Sequence, residues 1–188
     1  MARAEVRGTL SQPGARRPAF AGRLARTLGH AICLLPLLMH LEYRSASPLD
    51  APECVRIRGL TRGNAVSTQR LAALGITAET WANDIRSGEL PGFVCVASAE
   101  MAGYCYGSST TGEVIVLALQ PAYEGMGIGR ELLNHVVSHL RSLGHDRLFL
   151  GCSSDPAVRS YGFYRHLGWK STGAIDHHGD EVLELVSQ

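Results

Sequence analysis

Leu117-Ala118-Leu119-Gln120-Pro121-Ala122-Tyr123-Glu124-Gly125-Met126-Gly127-Ile128-Gly129-Arg130 runs from an apolar stretch, through three alternating glycines, into a helical pattern. Upstream, Glu113 to Leu119 is dense in β-branched residues and reads as a strand. Downstream, Ile128, Leu132, Leu133, Val136, Val137, Leu140 and Leu143 form one apolar stripe. That spacing predicts a helix over 127–143, with Gly144 placed to end it as a left-handed cap. Glycine permits positive φ and lets the backbone approach a ligand. A helix start adds unpaired N–H groups and a partial positive charge of roughly half an electron. Together they suit a phosphate group.

The type of phosphate ligand can be narrowed. A nucleotide-triphosphate loop needs a lysine followed by Ser or Thr at its end, and Arg130 and Glu131 stand there instead. A dinucleotide fingerprint counted from Gly127 would place its third glycine at Leu132. Asp146 lies at the distance of a ribose-binding acid, but it precedes its strand instead of ending it.

Working outward, the chain alternates strands and helices. His40 to Ala46 suits a first strand. Ser47-Pro48-Leu49-Asp50 then supplies an N-cap, a proline at the first helical position and an acid that caps back, for a helix to about Leu60. Thr77 opens another helix that carries Trp81 and Ile85. Gly92–Ala97 and Met101–Gly107 read as a hairpin around Ser98-Ala99-Glu100. After the glycine loop and its helix come a strand at Arg147–Cys152, a helix at Pro156–Leu167, and a hairpin of Trp169–Ile175 with Glu181–Val186. The order βααβββαβαββ predicts an α/β fold with a mixed sheet and helices on both faces.

The 188 residues have room for one ordinary domain, and their mean hydropathy near zero is that of a globular protein. Five scattered cysteines (Cys33, Cys54, Cys95, Cys105, Cys152), none in a Cys-x-x-Cys pair, argue against a disulfide framework or zinc site and for a reducing, cytoplasmic setting. Residues 1–38 carry six arginines against Glu5, whereas residues 39–188 hold 12 basic and 16 acidic groups. A mildly acidic domain carries no footprint for nucleic acid and would attract a cationic acceptor. The first 38 residues read as an extension outside the working domain. A secretory signal is weakened by Pro36, while the Arg-rich, acid-poor composition also suits a transit peptide. No stretch has the ~20 apolar residues of a membrane span.

The segment 117–130 resembles the GNAT acetyltransferase motif Arg/Gln-x-x-Gly-x-Gly/Ala, with Gly127 and Gly129 at its fixed positions and Glu124 departing from Gln or Arg. Tyr43 to Ala51 resembles the family's opening strand and helix, and Phe163-Tyr164-Arg165-His166-Leu167-Gly168-Trp169 its Phe-Tyr-x-x-x-Gly-Phe/Trp signature. The resemblance covers about residues 40–188. It implies the GNAT fold, a mixed and mostly antiparallel sheet flanked by helices, and acetyl-CoA as co-substrate with no metal. Leu117, Ala118 and Leu119 would pair with the pantetheine arm. Glu124, Gly125, Met126, Gly127, Ile128, Gly129 and Arg130 would hold the pyrophosphate, mainly through backbone N–H groups. A carboxylate at Glu124 is unfavourable there unless it points away.

Acetyl transfer to an amine requires a deprotonated amine, a polarised carbonyl and a stabilised thiolate. In the family a backbone N–H, here of Leu119 or its neighbour, polarises the carbonyl. Tyr164 matches the tyrosine that acts as acid toward the thiolate. Glu113 matches the glutamate base of histone acetyltransferases, and a water chain is the alternative. Tyr161 reads as packing or surface. His135 and His139 lack a zinc-protease glutamate and read as a solvated face, and His177-His178 with Asp180 as a polar hairpin tip. The expected function is acetylation of a primary amine, small molecule or peptide, by direct attack, with a homodimer left open. The alternative is a non-catalytic acyl-CoA-binding module.

Overall fold

The computed structural model describes residues 40–186, so the expectation for residues 1–38 lies outside it. Seven strands and five helices follow: β1 (Leu41–Ser45), α1 (Ala51–Arg58), α2 (Thr68–Ala73), α3 (Ala78–Ser87), β2 (Gly92–Ala97), β3 (Glu100–Gly107), β4 (Val114–Leu119), α4 (Ile128–Ser142), β5 (Arg147–Cys152), α5 (Arg159–His166), β6 (Lys170–Ile175) and β7 (Glu181–Val186). Strands β1-β2-β3-β4 form one antiparallel sheet, and β5-β7-β6 a second. The two meet where β4 and β5 run parallel, through a single bridge between Glu113 and Phe149.

One core lies beneath α4 and α5. Ile128, Leu132, Leu133, Val136 and Leu140 of the stripe are buried there against Cys105, Val114, Leu148, Leu150 and Leu183. The other lies beneath α1, α2 and α3, where Ile57, Leu71 and Trp81 pack on Val94, Tyr104, Tyr106 and Ala118. Helices therefore cover both faces. Before α1, the Asp50 carboxylate accepts the Ser47 N–H at 2.7 Å and pairs with Arg44 at 2.7 and 2.8 Å. Gly144, at φ +95°, follows the last turn of α4.

Several expectations are corrected. Helix α2 was not foreseen; Ser67 caps it by accepting the Arg70 N–H at 3.2 Å, and only Leu71 of its six residues is buried. Helix α5 begins at Arg159 instead of Pro156, because the Asp155 carboxylate takes the Ala157 N–H at 2.8 Å and turns the chain first. Leu143, the last residue of the stripe, is exposed at the end of α4. His135 and His139 are half-buried and not a solvated face. Helix α4 also crosses β2, so His135 stacks on Phe93 at 4.9 Å, with Tyr43 at 5.7 Å. Cys54, Cys95, Cys105 and Cys152 are all buried free thiols.

Candidate active site

The β3–β4 register shifts between Tyr106, opposite Val116, and Gly107, opposite Val114, so Ile115 is an extra, bulged residue. A bulge bends its strand, and it sits just after the Glu113–Phe149 bridge. Beyond it β4 has no ladder to β5, and the sheet is split there. The Gln120 N–H bonds Ala102 O at 2.9 Å and sets the phase of the ladder. Antiparallel pairs alternate, so Val116 and Ala118 bond β3 while Leu117 and Leu119 turn their N–H and C=O toward β5. The Ala118 side chain is buried in the opposite core, leaving its backbone alone near the edge.

The end of β4 is braced. Gln120, buried, donates through Nε2 to Met101 O at 2.7 Å and Glu100 Oε1 at 3.0 Å, and Tyr123 OH donates to Glu100 Oε2 at 3.1 Å. Sequence reasoning did not find this brace, since Glu100 lies in a different hairpin. A turn over Pro121–Tyr123 leads to Glu124, and Gly125 and Gly127 then adopt φ +83° and +84°. No heavy atom lies within 4 Å of where a Cβ on either would stand, so the loop is an open cradle. Gly127 caps α4 without a side-chain bond, leaving the first amides of the helix, at Ile128, Gly129 and Arg130, facing outward. A Cβ on Gly129 would sit 3.1 Å from Leu119 Cδ1 and 3.7 Å from Leu117 Cδ2 and Phe163 Cζ. β4, α4 and α5 thus converge on the split. Met126 and Arg130 are exposed at its rim.

Tyr164 packs into the core beneath α4, with its ring 6.2 Å from Trp169 and 5.1 Å from Phe163. Burial pushes its hydroxyl well above the ordinary tyrosine value. Cys105 of β3 and Cys152 of β5 add to the rise, and Arg58 opposes it. A phenol held in this way stays protonated, as a proton donor must. Its neighbours come from both sheets, which places it at the split. Arg58 ends α1 and donates to Thr61 Oγ1 and Asn64 O, which ties the α1–α2 connection to the end of that helix.

Glu113 stands apart from Tyr164, at the opposite end of β4. Burial and the neighbouring Asp176 raise its carboxyl, with His177 and His178 opposing. Those residues form the β6–β7 tip, where Asp176 Oδ1 accepts the His178 and Asp180 N–H groups at 2.8 and 2.9 Å. Among the described residues no group of three or more His, Cys, Asp or Glu is placed to hold a metal. Tyr161 serves Arg165, whose guanidinium lies 3.7 Å over its ring. Glu124 pairs with arginines from outside the loop. Its Oε2 is 2.5 Å from Arg159 Nη1 and 3.3 Å from Arg62 Nε.

Known proteins resemble this chain in sequence and in fold. The mycothiol acetyltransferase of Acidothermus cellulolyticus is 32% identical over 107 residues, covering 52% of this chain and 30% of that protein. That of Catenulispora acidiphila is 36% identical over 80 residues, covering 37% of this chain and 26% of that protein. The chain thus matches less than a third of the length of these curated relatives. The crystal structure of PaiA N-acetyltransferase from Thermoplasma acidophilum in complex with coenzyme A shares the fold, at a TM-score of 0.66 and 20% identity. The match covers 79% of this chain and 100% of that one. Among the described residues no helix is long and apolar enough to cross a membrane. The profile described as "Acetyltransferase (GNAT) family" matches residues 61–169, glycine loop and Tyr164 included, and the chain belongs to that family.

Proposed function

We propose that this chain transfers the acetyl group of acetyl-CoA to a primary amine by direct attack. The observation that carries the reading is the split itself: an unpaired β4 edge leads into an open glycine cradle at the start of α4. The cradle fits a diphosphate, because Gly125 and Gly127, either side of Met126 and both at positive φ, leave open the room that side chains would fill. Leu117 and Leu119 offer strand-like donors and acceptors to an amide-bearing arm, as an edge strand does. When bound, acetyl-CoA supplies a thioester whose C–S bond breaks as the amine nitrogen bonds the acetyl carbon. The Leu119 N–H, or its neighbour on the same edge, polarises the carbonyl oxygen. The Tyr164 hydroxyl donates its proton to the departing sulfur. The amine yields its proton to Glu113 or to a chain of water leading to it.

The test is a thiol-release assay of the full chain with acetyl-CoA against a panel of small-molecule and peptide amines, beside a thermal melt with acetyl-CoA alone. Release with any amine, together with a raised melting temperature, is the expected result. A melting shift without release from any amine would make the chain a binding module, and the absence of both would overturn the reading.

A further inference from the structure

We propose that Arg62 and Arg159 form a guanidinium clamp at the mouth of the split, which takes a phosphate group of the coenzyme. This inference rests on the acetyl-CoA reading above. The two arginines come from distant segments, the α1–α2 connection and the first residue of α5, and meet on one carboxylate, Glu124, directly before the glycine loop. Both contacts fall on the same oxygen, Oε2. Arg159 donates one hydrogen bond, from Nη1, while Arg62 is held by charge alone with Nε at 3.3 Å, and neither makes a further side-chain hydrogen bond among the described residues. Each guanidinium carries five N–H donors in a flat fork, so most of both forks stay unspent. Their side chains are 70% and 64% exposed, whereas that of Glu124 is 16% exposed. Exposed ion pairs contribute little to stability, so folding alone gives no reason for the cluster. Its charge is two cations against one anion. The carboxylate that would repel a diphosphate is therefore outweighed, and the free edges of the forks face solvent at the loop. Paired arginines with free forks are suited to bidentate phosphate binding.

Either the diphosphate or the 3′-phosphate could fill the clamp, and the arms of one experiment separate them. Titration calorimetry of the full chain with coenzyme A and with 3′-dephospho-coenzyme A is run on the wild type, Arg62→Ala and Arg159→Ala, at low and moderate salt. Each substitution should weaken coenzyme A about 10-fold and flatten the salt dependence of Kd. Unliganded melting temperatures should stay at the wild-type value. An equal loss for both ligands assigns the clamp to the diphosphate, and a loss confined to coenzyme A assigns it to the 3′-phosphate. Arg62→Lys and Arg159→Lys, which keep the charge without the fork, should fall between, and they replace the alanine variants if those fold poorly. Wild-type affinity in both alanine variants at low salt would overturn the clamp while leaving the cofactor reading intact. A wild type that binds no coenzyme A would overturn both.

Discussion

Gly127 and Gly75 make a matched pair for testing the cradle. Both have positive φ, +84° and +78°, and neither would place a Cβ within 4 Å of any atom. Alanine at either position therefore meets no clash and costs only the left-handed backbone, about 1–2 kcal/mol, less the unfolded-state entropy it removes. A net of about 1 kcal/mol lowers the melting temperature by about 2–4 °C in a chain of this size. Only Gly127 lies in the loop. Saturating acetyl-CoA at 100 times Kd should stabilise the wild type by about 2.7 kcal/mol, or about 5–10 °C. Gly75→Ala should keep that full shift on its lowered baseline. In Gly127→Ala the new methyl stands where the diphosphate should lie, and a 10-fold loss of affinity would halve the shift. Gly127→Asp, which adds a charge, should abolish it. The assay is a paired thermal melt with and without acetyl-CoA. Equal ligand shifts in Gly127→Ala and Gly75→Ala would place the coenzyme elsewhere and refute the reasoning.

Tyr164→Phe keeps the ring and its packing on Trp169 and removes only the hydroxyl, so melting and cofactor affinity should hold while kcat falls about 10–100-fold, or ~1.4–2.7 kcal/mol. An unchanged kcat, measured where chemistry limits the rate, would make it a packing residue. Glu113→Gln removes a carboxylate whose pKa is raised on folding, so it should stabilise the chain near pH 7. The gain should fade as pH falls through that raised value toward the ordinary carboxylate pKa, where the native side chain is protonated in both states. Denaturant midpoints at several pH values would read this, and an unaltered kcat in the same variant would assign proton removal to water. Ala99, at φ +76° in the β2–β3 turn, takes a conformation natural to glycine. Ala99→Gly should raise stability by about 0.5–1 kcal/mol, and a lowered melting temperature would show that the turn is not strained.

Regular, local features were legible in the sequence. The stripe from Ile128 to Leu140 marked α4 because burial on one face repeats with the helical period. Arg147–Cys152 and Glu181–Val186 matched their strands because turn residues stand directly before each, Gly144-His145-Asp146 and His178-Gly179-Asp180. Helix α2 escaped because a single buried leucine has no period. The Glu124 cluster escaped for a different reason. Its arginines lie on the α1–α2 connection and on α5, and nothing local to the loop announces a partner so far along the chain. The sequence could flag the carboxylate as misplaced but could not say what neutralises it. The histidines of α4 were misread because a helix broad enough to cover β2 has a second contact face, which a single stripe does not reveal.

The split between β4 and β5 is where stability yields to function. Closing the ladder past Glu113 would pair the N–H and C=O of Leu117 and Leu119, and each such bond would contribute about 0.5–1.5 kcal/mol. The chain forgoes these bonds through identifiable devices. The extra residue Ile115 bends β4 just beyond its Glu113–Phe149 bridge to β5, and Pro121 ends the strand two residues after Leu119. Phe163 of α5 packs toward Gly129 and, with Tyr164, fills the space beneath α4. Unpaired backbone groups at a half-buried edge must find partners, and water or an extended ligand can supply them. On the function proposed above, a ligand paired along this edge would reach the amides of α4 at one end and the Tyr164 hydroxyl alongside. On that proposal the missing ladder, the glycine cradle and the tyrosine serve one ligand, and loss of any one of them should weaken what the other two do.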